Sequence, residues 1–193
     1  MDPEEADLVA RLRRGQSAAL NEVYALYHAR LWAFLLRLSG RRHVAEDLFQ
    51  ETWVAVARDA ASLREDTDLR AWLFTVARNR YRSYRRWAVL DIARIFELGR
   101  EPKVHAPSPE HEVEARADAQ RTEAALASLS PEHREVLLLV VGEGMEAAAV
   151  GAVLGLSAEA VRQRLRRARL ELSAAVEKRR GEGSLHRARG AVR

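Results

Sequence analysis

The chain has 193 residues, of which 48% are hydrophobic and 31% charged, a composition typical of a protein with a hydrophobic core. It contains no cysteine, which excludes disulfides and thiolate metal sites, and its six histidines form no pair at i,i+4 spacing, so we predict neither a metal site nor a cofactor. The apolar run at residues 136–141 is too short to cross a bilayer, and residues 1–5 lack the features of a signal peptide. We therefore expect no membrane insertion and a cytoplasmic location.

The formal net charge is only +4, but the basic residues are concentrated in two blocks. Residues 69–90 contain six arginines and no acidic residue, and residues 162–169 contain five arginines. An acidic stretch that includes Glu101, Glu110 and Glu114 lies between the blocks. Solvated helix faces are the ordinary explanation of charge runs, but two clusters with an acidic separator indicate two contacts with a polyanion.

Hydrophobic periodicity predicts a first group of helices over residues 6–14, 17–38, 44–58 and 69–87. From Leu20 to Leu38, apolar residues recur at spacings of three and four, which is typical of an amphipathic helix. Ser17 could cap its start, and Gly40 would end it. Residues 88–98 could continue the last helix or form a short one, and residues 99–109, with three prolines, are predicted to be a linker.

A second group of helices is predicted to start near Glu112 and to include residues 132–141, 146–154 and 158–172. Ser130 and Pro131 are a cap followed by proline at the first helical position. The tight turn Gly155-Leu156-Ser157 separates the last two helices, so this segment is predicted to be a helix-turn-helix, with Ser157 capping the last helix. From Lys178 onward we expect a disordered basic tail. The fold class predicted is all-α, as two small helical domains joined by a flexible linker.

Three segments of the sequence, residues 45–53, residues 71–79, and residues 129–136 with 155–169, carry a resemblance to a known family. They resemble the extracytoplasmic-function (group 4) sigma factors of bacterial RNA polymerase, within the sigma-70 family. The first, Ala45-Glu-Asp-Leu-Phe-Gln-Glu-Thr-Trp53, is similar to the polymerase-binding helix of that family. The second, Ala71-Trp-Leu-Phe-Thr-Val-Ala-Arg-Asn79, is similar to its promoter-melting helix. The third, residues 129–136 with 155–169, is similar to its C-terminal helix-turn-helix. Three such motifs in the family's order make the resemblance specific.

The resemblance implies a division into sigma region 2 (residues 1–90), a linker (91–119), sigma region 4 (120–177) and a basic tail (178–193). It implies a transcription-initiation factor that binds core RNA polymerase, recognises the downstream (−10) and upstream (−35) promoter elements of a specialised regulon, and is controlled by an anti-sigma factor. The chain departs from the family pattern at Ser83, at Gly151 and at Glu159-Ala160, where the family often has Asp, Ala and Gly-Thr. These departures bear on promoter preference rather than on the fold.

The polymerase-binding residues predicted on the second long helix are Asp47, Gln50 and Glu51. Their spacing places two carboxylates and an amide on a face that the hydrophobic core does not use. Arginine-rich helices of a partner could form charge-assisted pairs there. The alternative is an ordinary solvated face, which the surrounding motif makes less favoured.

The downstream-element and melting contacts predicted are Arg64, Arg78, Asn79, Tyr81, Arg82, Arg85 and Arg86. Arginines bind phosphates, aromatic rings stack on unpaired bases, and Asn79 could pair with a base edge. The polar loop at residues 64–68 could form a pocket for an extruded base. Trp72, Leu73 and Val76 are interpreted as core residues.

The upstream-element contacts predicted on the last helix are Ser157, Arg162, Gln163, Arg164, Arg166, Arg167 and Arg169. A recognition helix presents its N-terminal half to base edges in the major groove, so Arg162 and Gln163 are the predicted base readers. The other arginines are predicted to hold phosphates.

Two other functions fit the sequence less well. A helix-turn-helix regulator that acts without being a polymerase subunit would need only one DNA-binding block and would leave the Asp47 face unexplained. A helical enzyme is disfavoured because the sequence has no glycine-rich phosphate loop, metal cluster or nucleophile–base motif, and no catalytic residue is predicted.

Overall fold

The computed structural model describes residues 3–97 and 115–190, and the side chains of residues 3–88 and 122–179. Within these ranges the chain is all-α, as predicted. The helices are α1 (Pro3–Arg13), α2 (Ser17–Ser39), α3 (Arg42–Asp59), α4 (Leu69–Glu97), α5 (Ala115–Ser128), α6 (Pro131–Leu137), α7 (Ala147–Leu154) and α8 (Ala158–Gly190). A 3₁₀ turn (Ala60–Ser62) follows α3, and a π-helical turn (Leu138–Gly142) follows α6. None of the described helices is long and apolar enough to cross a membrane.

The N-terminal domain consists of α1–α4, in which α2 packs against α1, α3 and α4. The rings of Phe34 and Phe74 meet edge to face in its core, with centroids 5.1 Å apart. Gly40 ends α2 in the left-handed conformation predicted for it, and its amide donates to the carbonyl of Leu36 at 2.9 Å. The cap predicted at Ser17 is wrong, because α2 begins one residue earlier than a Ser17 cap requires: the carbonyl of Gln16 accepts from Ala19 at 3.0 Å.

The C-terminal domain consists of α5–α8, with α5, α6 and α7 packed on α8. The predicted cap at its α6 is confirmed, since Ser130 Oγ accepts from the amide of His133 at 3.3 Å and Pro131 is the first helical residue. Helices α7 and α8 form the predicted helix-turn-helix. Gly155 turns the chain with a φ of 70°, and Ser157 Oγ accepts from the amide of Ala160 at 3.1 Å.

Helix α4 continues to Glu97, which is one of the two alternatives predicted for residues 88–98. Two other helices differ from the prediction. Helix α8 continues to Gly190, so the expected disorder after Lys178 is wrong for residues 178–190. Residues 174–180 are alanine, glutamate, lysine, arginine and one valine, mostly strong helix formers, which outweigh the later glycines. The helix predicted over 132–141 widens into a π turn, where the amide of Glu143 donates to Leu138. The predicted linker at 99–109 lies outside the described residues.

The two domains pack against each other, with α7 on α4, and α5 and α6 on α2. Buried apolar residues of both domains form one continuous core. The face of α4 that contacts α7 is therefore covered, and this decides which of its side chains can reach a ligand.

Candidate polymerase and promoter interfaces

The predicted polymerase-binding residues Asp47, Gln50 and Glu51 lie exposed on one face of α3. Leu48 and Thr52 occupy the opposite, buried face, where Thr52 Oγ1 donates to the carbonyl of Leu48 at 2.7 Å. The core therefore does not use the acidic face, as the sequence predicted.

An open groove of about 430 Å³ runs along this acidic face. Val54 is 68% exposed in it, and Arg58 and Arg80 line its other end. The groove thus offers carboxylates at one end, an apolar side chain, and guanidinium groups at the other end. Arg80 was not among the predicted site residues. Arg80 lies two residues from both Arg78 and Arg82, so it points from a different face of α4 than they do. This spacing is the sequence signal that could have found it.

The packing of α4 leaves some of the predicted melting residues exposed and buries others. Asn79, Arg82 and Arg86 are exposed, and Arg85 is half-buried. Arg64 is exposed in the preceding loop and forms a two-point ion pair with Asp66 at 3.0 and 3.1 Å. The same loop starts α4, because Asp68 Oδ1 accepts from the amide of Ala71 at 2.8 Å.

Arg78 and Tyr81, which were also predicted to contact DNA, are both buried in this structure. Arg78 is only 8% exposed, and its guanidinium donates to Glu135 Oε2 at 2.9 Å and to the carbonyl of Val153 at 3.2 Å. Tyr81 is 5% exposed, and burial raises the pKa of its phenol above the ordinary value. The physical reason is that the C-terminal domain covers this face of α4.

The start of α8 carries the predicted upstream contacts on its solvent side. Arg162, Gln163, Arg166, Arg167 and Arg169 are exposed, as is Ser157, and Arg164 is partly buried. The opposite face holds Val161 and Ala168 in the core. The five arginines and the glutamine therefore lie on the outside of the domain or at the edge of its core.

Glu159 connects the two predicted base readers. Its carboxylate accepts from Arg162 Nε at 3.1 Å and from Gln163 Nε2 at 3.4 Å. All three side chains are exposed in the first turns of α8. In the sequence, Glu159 is only a departure from the family pattern. In the structure, its carboxylate accepts hydrogen bonds from both Arg162 and Gln163.

Comparison with known proteins identifies the family. Residues 23–88 match the Sigma-70 region 2 model, and residues 125–174 match the Sigma-70, region 4 model. The RNA polymerase sigma factor CnrH of Cupriavidus metallidurans is 31% identical over 92% of this chain and 97% of its own length. The chain is a sigma factor of the extracytoplasmic-function group. The ECF RNA polymerase sigma factor SigL of Mycobacterium tuberculosis is 33% identical over 78% of this chain and 84% of its own.

Two solved structures show the same arrangement of helices as this sigma factor. One is CnrH in complex with the cytosolic domain of CnrY, with a TM-score of 0.69, 28% identity and coverage of 90% of this chain and 97% of that one. The other is the sigma factor RpoE in complex with the anti-sigma factor NepR from Bartonella quintana, with a TM-score of 0.68, 27% identity and coverage of 81% and 96%. The resemblance found in the sequence is confirmed, and the chain is an RNA polymerase sigma factor that acts in transcription initiation. The match to region 2 disfavours a helix-turn-helix regulator independent of polymerase.

Proposed function

We propose that this sigma factor binds core RNA polymerase through the α3 face formed by Asp47, Gln50 and Glu51. The observation that supports this is the exposure of all three side chains beside an open groove, on a helix whose other face is buried. A partner helix that carries basic side chains could form charge-assisted hydrogen bonds with the two carboxylates. The sigma factor acts as a polymerase subunit in the cytoplasm, and the proposal gives it no catalytic residue.

The double variant Asp47→Ala/Glu51→Ala tests this role in a binding assay with purified core polymerase. We expect at least about tenfold weaker binding, since charge-assisted bonds contribute about 1.5–3 kcal/mol each when buried in an interface. The matched control is Asp7→Ala/Glu22→Ala, which removes two exposed carboxylates that pair with Arg11 elsewhere in the N-terminal domain. Equal affinity for wild type and the α3 double variant, at unchanged helicity, would remove this assignment.

We further propose that the exposed side chains of α4 and its preceding loop contact the downstream promoter element. These are Asn79, Arg82, Arg85, Arg86 and Arg64. Arginines at these positions can bind phosphates or stack on unpaired bases, and Asn79 can pair with a base edge. The exposed arginines and Gln163 at the start of α8 are proposed to bind the upstream element, with Arg162 and Gln163 reading bases and Arg167 holding a phosphate.

Binding of upstream-element variants by the reconstituted holoenzyme tests the division of labour on α8. Arg162→Ala and Gln163→Ala should each lower the preference for one base by about 1–3 kcal/mol, because a bidentate contact to that base is lost. Arg167→Ala should weaken binding to all sequences alike and reduce the salt dependence. If all three variants lose affinity equally for every sequence, base reading lies elsewhere.

An anti-sigma factor is proposed as a further partner. RpoE of Bartonella quintana was solved in complex with the anti-sigma factor NepR, and CnrH in complex with the cytosolic domain of CnrY. This sigma factor shares their fold over most of its length, which supports control by a protein of the same kind.

A further inference from the structure

The loop between the 3₁₀ turn and α4, residues 64–68, has no apolar anchor of its own. Leu63 before it and Leu69 after it are buried, at 6% and 1% exposure, and the five residues between them are all polar. Inside the loop, the amide of Arg64 donates to Thr67 Oγ1 at 3.1 Å, and the amide of Thr67 donates to the carbonyl of Arg64 at 3.2 Å. These bonds set the shape of the loop, while its place on the domain depends on contacts from other elements.

Helix α1 supplies two such contacts, one at each end of the loop. Glu5, in the first turn of α1, accepts through Oε1 from the amide of Leu69, the first residue of α4, at 3.0 Å. Arg13, the last residue of α1, donates to Glu65 Oε1 at 2.6 Å. The part of α1 between these residues is fixed, because Val9 is fully buried and the helix packs against the 3₁₀ turn. Helix α1 therefore connects both ends of the loop to the domain core.

The two contacts differ in strength. The Glu65 side chain is 84% exposed, so its pair with Arg13 is screened by water and salt. The bond to Glu5 is partly buried, and it satisfies an amide in the first turn of α4 that has no acceptor within its own helix. The helix dipole also favours a carboxylate at this end of α4. Glu5 is therefore the principal contact at the junction between the loop and α4.

This junction determines how the loop is oriented relative to α4. From the loop side, Asp68 Oδ1 accepts from the amide of Ala71 at 2.8 Å, and the Asp68 carbonyl accepts from the amide of Trp72 at 2.9 Å. From the α1 side, Glu5 binds the amide of Leu69 in the same turn of helix. Loss of the Glu5 bond would free the loop to move relative to α4, while the acceptors on Asp68 would still start the helix.

We propose that Glu5 is a positioning residue for recognition of the downstream promoter element. It acts through the loop of residues 64–68, which it fixes against α4 so that Arg64 and its neighbours meet an unpaired base in one geometry. Recognition groups must be held within about 0.5 Å of their productive positions, by side chains that are themselves held in place. This inference rests on the proposed contact between the loop and the downstream element.

The base preference of the reconstituted holoenzyme tests this role. The probes are promoter fragments premelted across the downstream element, with each of the four bases in turn at every position of that element. Glu5→Ala should lower the preference at the position that the loop reads by about fivefold or more, because a base contact is no longer held in place. Preferences at the other positions should not change. A merely structural defect would lower the affinity for all fragments alike and leave these ratios unaltered.

Two conservative variants separate the hydrogen bond from the charge. Glu5→Gln keeps an acceptor oxygen at the same reach and should retain the wild-type preference. Glu5→Asp keeps the charge on a shorter side chain and should lose the preference as Glu5→Ala does. Asp7→Ala is the matched control, because it removes an exposed carboxylate of α1 that pairs with Arg11 and not with the loop. It should leave every preference unchanged.

A variant of the loop itself distinguishes this inference from the proposed function on which it rests. If Arg64→Ala/Asp66→Ala keeps the wild-type affinity and preference on every fragment, the loop does not contact the downstream element, and both proposals are overturned. If that variant is impaired while Glu5→Ala keeps the wild-type preferences or weakens all fragments equally, only the positioning role is overturned. An equal loss of preference in Glu5→Gln would also overturn it. A loss confined to one position in Glu5→Ala and absent in Glu5→Gln would support it.

Discussion

At the scale of single residues, Gly151 is a departure from the family pattern with a clear steric cause. A Cβ atom at this position would lie 2.6 Å from the carbonyl oxygen of Leu156, closer than a real side chain can approach. The same two residues are joined by a bond from the Leu156 amide to the Gly151 carbonyl at 2.9 Å. The turn of the helix-turn-helix therefore folds back onto α7 so closely that alanine does not fit.

Gly151→Ala should therefore destabilise the protein, although alanine is the better helix former. We expect a loss of about 1–3 kcal/mol in the free energy of unfolding, as for other overpacked sites. Urea unfolding followed by circular dichroism measures it. Gly142→Ala is the matched control, since a Cβ there meets nothing within 4 Å and its effect should be small. Equal stability of the two variants would show that the turn can relax.

Arg134 connects the ends of two helices through hydrogen bonds to backbone carbonyls. Four backbone carbonyls accept hydrogen bonds from its guanidinium: those of Leu38, Leu126, Ala127 and Leu129. These carbonyls lie in the last turns of α2 and α5 or, for Leu129, just after α5. Because most carbonyls in the last turn of a helix lack a partner within the helix, the cation stabilises both helix ends at once. Burial lowers the pKa of this guanidinium, yet arginine stays charged in proteins.

The sequence could predict the exposed acidic face of α3 but not the burial of Arg78. Asp47 and Glu51 are polar residues on a helix whose buried apolar residues, such as Leu48 and Val56, lie on the other side, so the position of the core follows from local periodicity. Arg78 also lies among polar residues on its helix, but its partner Glu135 is 57 positions away. No local pattern indicates that contact, so an arginine that pairs across domains looks the same as one that binds DNA.

At the scale of secondary-structure elements, periodicity predicted the existence of the helices better than their ends. Helix α8 runs well past the predicted Leu172, since its helix-forming residues continue while the apolar pattern fades. The π turn at residues 138–142 was also missed, because its apolar residues fit an uninterrupted helix equally well. The ends with specific chemistry, at Gly40, Ser130 and Gly155, were predicted correctly.

The first turn of α8 supports a prediction about promoter preference. Glu159 orients Arg162 and Gln163, so Glu159→Ala should lower base preference by up to about 1–3 kcal/mol at the bases that these side chains read. It should also raise affinity for all upstream sequences, because a carboxylate near the phosphates is removed. Binding of the holoenzyme to a library of upstream elements measures both effects.

Glu177→Ala is the control for this variant, because it removes an exposed carboxylate farther along the same helix. It should leave base preference unchanged. The orienting role of Glu159 would be refuted by a Glu159→Ala holoenzyme that selects the same sequences with the same strength as the wild type.

At the scale of the whole molecule, two predicted domains form one packed body. The composition and the proline-containing segment indicated two domains with a linker, and the division into helical groups agrees with that. Docking of the groups could not be predicted, because it depends on which apolar faces meet and on ion pairs between distant positions. The continuous core makes the stability of each domain depend on the other.

This dependence predicts how the protein unfolds. If the domains share one core, heat should unfold the wild type in a single cooperative transition, with equal calorimetric and van't Hoff enthalpies. Glu135→Ala leaves the Arg78 charge buried without its partner, and breaking a buried pair in this way costs about 3–5 kcal/mol.

This loss of free energy destabilises the interface between the domains and not the interior of either domain. The variant should therefore unfold in two transitions, or with a van't Hoff enthalpy well below the calorimetric one, while its helicity at low temperature stays close to that of the wild type. Glu65→Ala, which breaks an exposed pair with Arg13 inside the N-terminal domain, should keep the single transition. Two separate transitions already in the wild type would mean that the domains fold independently and that their contact is too weak to couple them.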